Sequence, residues 1–221
     1  MQGTRTNQLL LLGHRGARGL KSIPENSIAA FDHALADGCD GFEFDVQRTA
    51  DGQAVICHDA RIKGIEIAKA RAEKLKGLVG LRNVLSRYHD RAFLDIELKV
   101  AGLEKMTADL LREFPPRRGF VVSSFQPSVL DTLRGADPSV RLGLICEKKS
   151  QMKLWTEIPV DYVIAHAALL NAAVIDQLKS AGKKVLVWTV NSPTQMKRFA
   201  ELGVDGIISD KPDLLCRTLR G

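Results

Sequence analysis

Short apolar runs rich in Val, Ile, Leu and Phe recur along the chain with amphipathic stretches between them, and no other feature restricts the fold as much. A run of four to eight such residues suits a strand buried on both faces. A stretch with apolar residues at helical spacing suits a helix laid over it, so the alternation reads as repeated βαβ units around a parallel sheet. Eight runs are present: Leu9 to Leu12, Gly41 to Val46, Phe93 to Leu98, Phe120 to Ser123, Arg141 to Ile145, Tyr162 to Ala165, Val185 to Thr189 and Gly206 to Ser209. Helical patterns occupy Ser27 to Ala36, Leu78 to Tyr88, Leu103 to Phe114, Pro127 to Arg134, Ser150 to Thr156, Ala172 to Ser180, Pro193 to Leu202 and Pro212 to Leu219. Eight of each closes a sheet on itself, so the expected fold class is α/β, a (βα)8 or TIM barrel, in one domain over residues 1–221.

Local chemistry supports several of these boundaries. Asn191-Ser192-Pro193 and Asp210-Lys211-Pro212 each offer a capping side chain just before a proline suited to a first helical turn. Gly182 and Gly203 fall just past apolar helical faces, where a left-handed closing residue is wanted. Asp51-Gly52, between Val46 and Val55, predicts a tight turn that folds the second strand back on itself before Cys57-His58.

Composition excludes several functional classes. Hydrophobic residues make up 45% and charged residues 26%, ordinary values for a folded globular protein. The net charge of +6 raises the question of a nucleic-acid partner, but Lys and Arg are scattered and aromatic residues are few, so no nucleic-acid binding is expected. Cys39, Cys57, Cys146 and Cys216 lie far apart without a Cys-x-x-Cys pair and read as buried free thiols. Leu9 to Leu12 is too short for a signal or transmembrane segment and runs into Gly13-His14-Arg15, so a cytoplasmic location is expected. Self-association is left open.

Barrel active sites sit at the C-terminal ends of the strands, and there the polar residues concentrate. In Gly41-Phe42-Glu43-Phe44-Asp45-Val46 the two-residue strand period sends Glu43 and Asp45 to one face and Phe42, Phe44 and Val46 to the other. In Leu94-Asp95-Ile96-Glu97-Leu98-Lys99 it aligns Asp95, Glu97 and Lys99. Buried carboxylates side by side cost several kcal/mol without a counter-charge. A hard divalent ion held by Glu43, Asp45 and Glu97 meets that need, and an all-oxygen set suits Mg2+ or Ca2+ rather than zinc. The competing account is a structural ion pair of Glu97 with Lys99 or Arg15.

His14-Arg15-Gly16, Pro24-Glu25-Asn26-Ser27, Gly41 to Val46, Asp51-Gly52, His58-Asp59, Ile96-Glu97-Leu98-Lys99, Trp188-Thr189-Val190-Asn191 and Asp205-Gly206-Ile207-Ile208-Ser209-Asp210-Lys211-Pro212 together, in order and across nearly the whole chain, resemble the glycerophosphodiester phosphodiesterase family. The resemblance implies a barrel enzyme that cleaves a small-molecule glycerophosphodiester to glycerol 3-phosphate and an alcohol. It further implies His14 and His58 as acid and base, Glu43, Asp45 and Glu97 as ligands of a divalent cation, and Arg15 and Lys99 as phosphate contacts. Imidazole suits both proton roles because it titrates near neutral pH. Attack by the glycerol 2-hydroxyl followed by opening of a cyclic phosphate is the expected order of events.

Secondary assignments follow. Trp188 either packs against glycerol carbons or belongs to the core. Ser123, Ser124 and Phe125 follow the fourth strand and could line the pocket. His33 and His89 read as surface residues, while His166 is weighed as structural or substrate-contacting. Glu25 and Asn26 are expected to fix the first loop, with Asn26 or Ser27 capping the first helix. The stretch from Asp59 to Glu97 lacks the Asp-Arg-Thr-Thr element and small helical insert common in bacterial members, which leaves head-group size open, lysophospholipids included. A phosphorus-oxygen lyase on the same barrel and a silent binding scaffold are the alternatives.

Overall fold

The structure, a computed structural model, describes residues 9–221, so residues 1–8 of the expected domain lie outside it. Eleven strands are present among the described residues: β1 (Leu10–Gly13), β2 (Gly41–Arg48), β3 (Ala54–Ile56), β4 (Arg61–Ile62), β5 (Ile65–Glu66), β6 (Phe93–Leu98), β7 (Phe120–Ser124), β8 (Leu142–Cys146), β9 (Tyr162–His166), β10 (Lys184–Trp188) and β11 (Gly206–Ser209). Eight of them, β1, β2 and β6 to β11, run parallel in the order β1-β2-β6-β7-β8-β9-β10-β11, and β11 pairs back with β1. The sheet therefore closes as the eight apolar runs predict. Closure is tight beside β2: a Cβ at Gly41 would stand 1.8 Å from the Phe93 carbonyl oxygen. Only glycine fits there.

Seven α-helices follow among the described residues: α1 (Ile28–Ala36), α2 (Leu81–Tyr88), α3 (Glu104–Glu113), α4 (Pro127–Ala136), α5 (Ala172–Ser180), α6 (Pro193–Glu201) and α7 (Pro212–Leu219). The expected fifth helix, Ser150 to Thr156, is instead a 3-10 segment over Gln151–Thr156. That stretch runs into Pro159 after only a few residues, too short a span to propagate several α turns. One capping expectation is also corrected. Asp210 does not cap α7, whose N-cap Lys211 has no side-chain cap bond. At α6 the expected capping side chain is that of Ser192, whose hydroxyl accepts from the Gln195 amide. At α1 the choice falls on Ser27, whose oxygen accepts from the Ala30 amide. Gly182 and Gly203 adopt φ +73°, as expected of residues that end helices.

The alternation along β2 divides the molecule into two layers. Phe42, Phe44 and Val46 face the helices, where Phe31 stacks on Phe42 with ring centroids 4.2 Å apart and Tyr88 meets Phe42 edge-on at 5.0 Å. The Tyr88 hydroxyl donates to Asp32 Oδ1 at 2.9 Å, which satisfies the polar tip of this cluster. Inside the barrel Leu12, Val121, Ile164, Leu186 and Ile208 form a separate apolar plug below the polar mouth. Past Val46 the β2 strand folds back through Asp51-Gly52 into antiparallel β3, as expected. The segment that follows forms the β4–β5 hairpin and two 3-10 turns, which cover Val55 with Ile67, Ala70 and Leu75. No helix among the described residues is long and apolar enough to cross a membrane.

Because the aromatic cluster backs the strand that carries Glu43 and Asp45, Phe31→Ala is expected to cost about 3–5 kcal/mol of unfolding free energy. Urea denaturation measures it, and a cost below about 1 kcal/mol would show that the cluster is not a principal support of β2.

Candidate active site

The parallel register sets Asp45 beside Glu97 and Glu43 beside Asp95 on neighbouring strands β2 and β6. All four side chains turn inward. Glu43, Asp45 and Glu97 each bring a carboxylate oxygen within 4.8 Å of the other two, and all three residues are buried. Burial, reinforced by Asp45, Glu97 and Asp95, pushes the Glu43 carboxyl well above the usual range. Burial and the charge of Asp45 push Glu97 up to about 7, despite Lys99. Asp45 goes the other way: burial raises it, but the charges of Lys99 and Arg15 and a bond from Asn26 outweigh burial and hold it below the ordinary value. Asp95, deeper in the barrel, is raised to about 7 by burial while the Ser123 hydroxyl donates to its Oδ1 at 2.6 Å.

Two cations answer part of this charge. Lys99 Nζ lies 2.8 Å from Glu97 Oε1 and 3.2 Å from Asp45 Oδ1. Arg15 Nε lies 3.2 Å from Asp45 Oδ2, and its Nη1 donates to Glu25 Oε1 at 2.7 Å. The competing ion-pair account is thus realised for Lys99 with Glu97, whereas Arg15 pairs with Asp45 and Glu25. Glu43 is left out: among the described residues its Oε2 accepts only the Arg15 amide, at 3.0 Å, and its buried Oε1 has no hydrogen-bond partner. An orphaned carboxylate oxygen inside an all-oxygen set fits a hard divalent cation, with Glu43, Asp45 and Glu97 as its holders.

The loop after β1 adopts rarely used backbone to make these contacts. Arg15 and Asn26 lie in the left-handed region at φ 48° and 56°. Such strain in non-glycine residues persists only where surrounding contacts enforce it. Here Asn26 Nδ2 donates to Asp45 Oδ2 at 2.8 Å, and the Asp45 amide donates back to Asn26 Oδ1 at 3.2 Å. Asn26 therefore clamps a carboxylate instead of capping α1, and Glu25 holds the guanidinium of Arg15.

Both expected histidines line the cavity of about 350 Å³ that contains Glu43 and Glu97. His14 Nδ1 sits 2.6 Å from Asp210 Oδ1, and its Nε2 points toward Glu43 Oε2 at 3.7 Å. His58 Nδ1 sits 2.7 Å from Asp59 Oδ1. With a carboxylate on each Nδ1, that nitrogen is assigned the proton and Nε2 is left available in both rings. Asp210 is itself held, accepting from Asn191 Nδ2 at 2.6 Å and Arg18 Nη1 at 3.4 Å. Burial raises its carboxyl, but His14, Asn191 and Arg18 overcome that and bring it down to about 2. Locally Asp210 looks like a helix cap, and Arg18 carries no signal of a role. The Asp-Lys-Pro tripeptide was visible, but its partner lies 196 positions away.

Trp188 lines the same cavity, as does Thr189. The indole Nε1 donates to the Ile164 carbonyl at 3.1 Å, and the ring meets Phe125 and His166 edge-on at 6.0 and 5.4 Å. It is anchored as core yet shows one face to the cavity. Phe125 also lines the cavity. Ser124 is spent on the Leu98 carbonyl, and Ser123 on Asp95. His166 accepts from the Ala168 amide at 3.3 Å, a local structural role, and His33 pairs with Asp37 on α1.

With this geometry in view, comparison with known proteins is informative. The model of the glycerophosphoryl diester phosphodiesterase family matches residues 14–76 and 93–214. Over 239 positions the chain is 31% identical to YhdW of Bacillus subtilis strain 168, covering 95% of this chain and 97% of that one. It is 29% identical over 239 positions to a glycerophosphodiester phosphodiesterase of Caldanaerobacter subterraneus subsp. tengcongensis, covering 96% and 98%. Among solved structures, an Oleispira antarctica phosphodiesterase in complex with its product sn-glycerol-3-phosphate is similar at a TM-score of 0.84 and 23% identity, covering 96% of this chain and 97% of that one. At that identity the likeness speaks for the barrel alone. The family match, spanning the histidines, the carboxylates and most of the barrel, shows that the chain belongs to the glycerophosphoryl diester phosphodiesterase family.

Proposed function

We propose that the chain hydrolyses glycerophosphodiesters to glycerol 3-phosphate and an alcohol, with His14 and His58 as the proton-transfer pair and a divalent cation held by Glu43, Asp45 and Glu97. One observation carries the reading: two imidazoles, each fixed through Nδ1 to a carboxylate, share a single cavity with three crowded acidic side chains. The match to the family model, and the 29% identity to a glycerophosphodiester phosphodiesterase of Caldanaerobacter subterraneus subsp. tengcongensis, support the substrate class.

Each protein group has a task that its surroundings suit. Displacement at a phosphodiester needs one hydroxyl to lose a proton and one leaving oxygen to gain one, and two imidazoles with open Nε2 atoms can do both. Asp210 and Asp59 hold the two rings in orientation through Nδ1. Arg15 and Lys99 border the cavity and offer positive charge to the non-bridging phosphoryl oxygens. Trp188 and Phe125 give the glycerol carbons an apolar wall. When bound, the cation supplies Lewis-acid polarisation of phosphoryl and hydroxyl oxygens. The donor set suits Mg2+ or Ca2+ alike.

The proposed order is attack by the glycerol 2-hydroxyl, one imidazole taking its proton while the other protonates the departing alcohol, then water opening the cyclic phosphate as the roles reverse. A lyase would stop after the first half. Phosphorus NMR of the product separates the two, cyclic phosphate for a lyase and glycerol 3-phosphate here, while a 2-deoxyglycerol diester tests internal attack: no cleavage is expected, and cleavage at an unchanged rate would exclude it.

Glycerol 3-phosphate release from glycerophosphocholine should require Mg2+ or Ca2+ and cease on chelation. His14→Ala should lower kcat by roughly 10²–10⁴, the usual worth of a positioned acid or base, with circular dichroism unchanged. Full activity in the chelated protein, or in the variant, would refute the assignment.

A further inference from the structure

Away from the cavity, two thiols meet at the seam where the barrel closes. Cys39 lies in the turn between α1 and β2, and Cys216 lies on α7. Their Sγ atoms are 3.7 Å apart although the residues are 177 positions apart in sequence. Both side chains are buried, each residue 7% exposed. The turn is held against the helix from several sides. Cys39 donates its amide to the Ala34 carbonyl, and Arg220, just past α7, donates to the Gly38 carbonyl at 2.6 Å and pairs with Asp40. Gly38 itself runs at φ +98° with room for no more than contact: a Cβ there would touch Cys216 Sγ at 3.8 Å. The sulfurs thus face each other across two elements already tied together.

We propose that Cys39 and Cys216 form a dithiol that peroxides oxidise to a disulfide, stapling the C-terminal helix to the turn entering β2. The two thiols differ in the way such chemistry needs. The hydrogen bond from Cys39, followed by the charge of Arg220, outweighs burial and favours the Cys216 thiolate. The same bond and burial push the Cys39 thiol upward, making it the resolving partner. The Cys216 thiolate attacks one peroxide oxygen; the O–O bond breaks, hydroxide leaves, and a sulfenic acid forms. Cys39 sulfur then attacks that sulfur, the S–O bond breaks, and the Cys39 proton leaves with the hydroxyl as water. Two thiols and one hydrogen peroxide give one disulfide and two waters. A disulfide of about 2.05 Å requires the sulfurs to close by less than 2 Å. The other thiols lack this arrangement: Cys57 Sγ meets the Asp59 carbonyl and Cys146 Sγ the Leu144 carbonyl.

The staple would join the two ends of the barrel where β1 pairs with β2 through only Leu12 and Gly13. It would also constrain nearly the whole unfolded chain, the case in which a crosslink raises stability most.

The test is treatment of the full chain with near-stoichiometric hydrogen peroxide, followed by N-ethylmaleimide labelling and peptide mapping. Two of the four cysteines should cease to label, a Cys39–Cys216 linked peptide should appear, and dithiothreitol should restore both labels. The oxidised protein should melt several degrees higher than the reduced protein, and Cys216→Ala should show neither linkage nor shift. Unimpaired labelling of all cysteines, linkage through Cys57, sulfinic acid without linkage, or a linked protein that melts no higher would overturn the proposal. Because the wild type is its own reduced control, the result holds even if the variant folds poorly, and it is independent of phosphodiesterase activity.

Discussion

Mutual repulsion among carboxylates packed at one end of the barrel is the constraint to which the rest of this structure responds. Glu43, Asp45 and Glu97 converge within 4.8 Å, with Asp95 below them, and two cations, Lys99 and Arg15, face the set. The cations settle on Asp45 and Glu97. Glu43 receives one backbone amide and keeps an orphaned oxygen. Bringing such a group to its charged form inside a protein costs several kcal/mol unless a further positive charge arrives. The same shortage of positive charge that makes the site costly to fold suits it to a divalent cation.

Holding that arrangement falls to residues that take no part in the proposed proton transfers. The stacked rings of Phe31 and Phe42, with Tyr88 edge-on, stiffen β2 from behind. The loop after β1 accepts left-handed backbone at Arg15 and Asn26 so that one binds Asp45 and Glu25 and the other clamps Asp45 from both its polar atoms. Asp210, just past the last strand, fixes His14, just past the first, across 196 positions of sequence. Sites held this way need little rearrangement when substrate enters.

Much of this was legible in the sequence because strand geometry is local. The two-residue period alone puts Glu43 and Asp45 on one face and Phe42 and Phe44 on the other, and the same holds for Asp95 and Glu97. Asp51-Gly52 likewise announces its hairpin. What local patterns concealed were choices made by distant partners. Asp210 looks like a helix cap, but a histidine 196 positions away and the Asn191 amide take its side chain. Asn26 presents the same ambiguity, resolved inward by Asp45. Arg18 carries no local signal at all. The 3-10 segment at Gln151–Thr156 is a question of span rather than pattern, since its apolar spacing is helical while its length is not.

The most direct test of the account is where a divalent cation binds. Crystals soaked in Mn2+ should give an anomalous difference peak within about 2.0–2.6 Å of one oxygen each from Glu43, Asp45 and Glu97, the range for hard cations on carboxylates. Glu43→Gln should abolish that peak. At saturating Mn2+, no peak among these three residues, or one bound elsewhere in the barrel, would contradict the account.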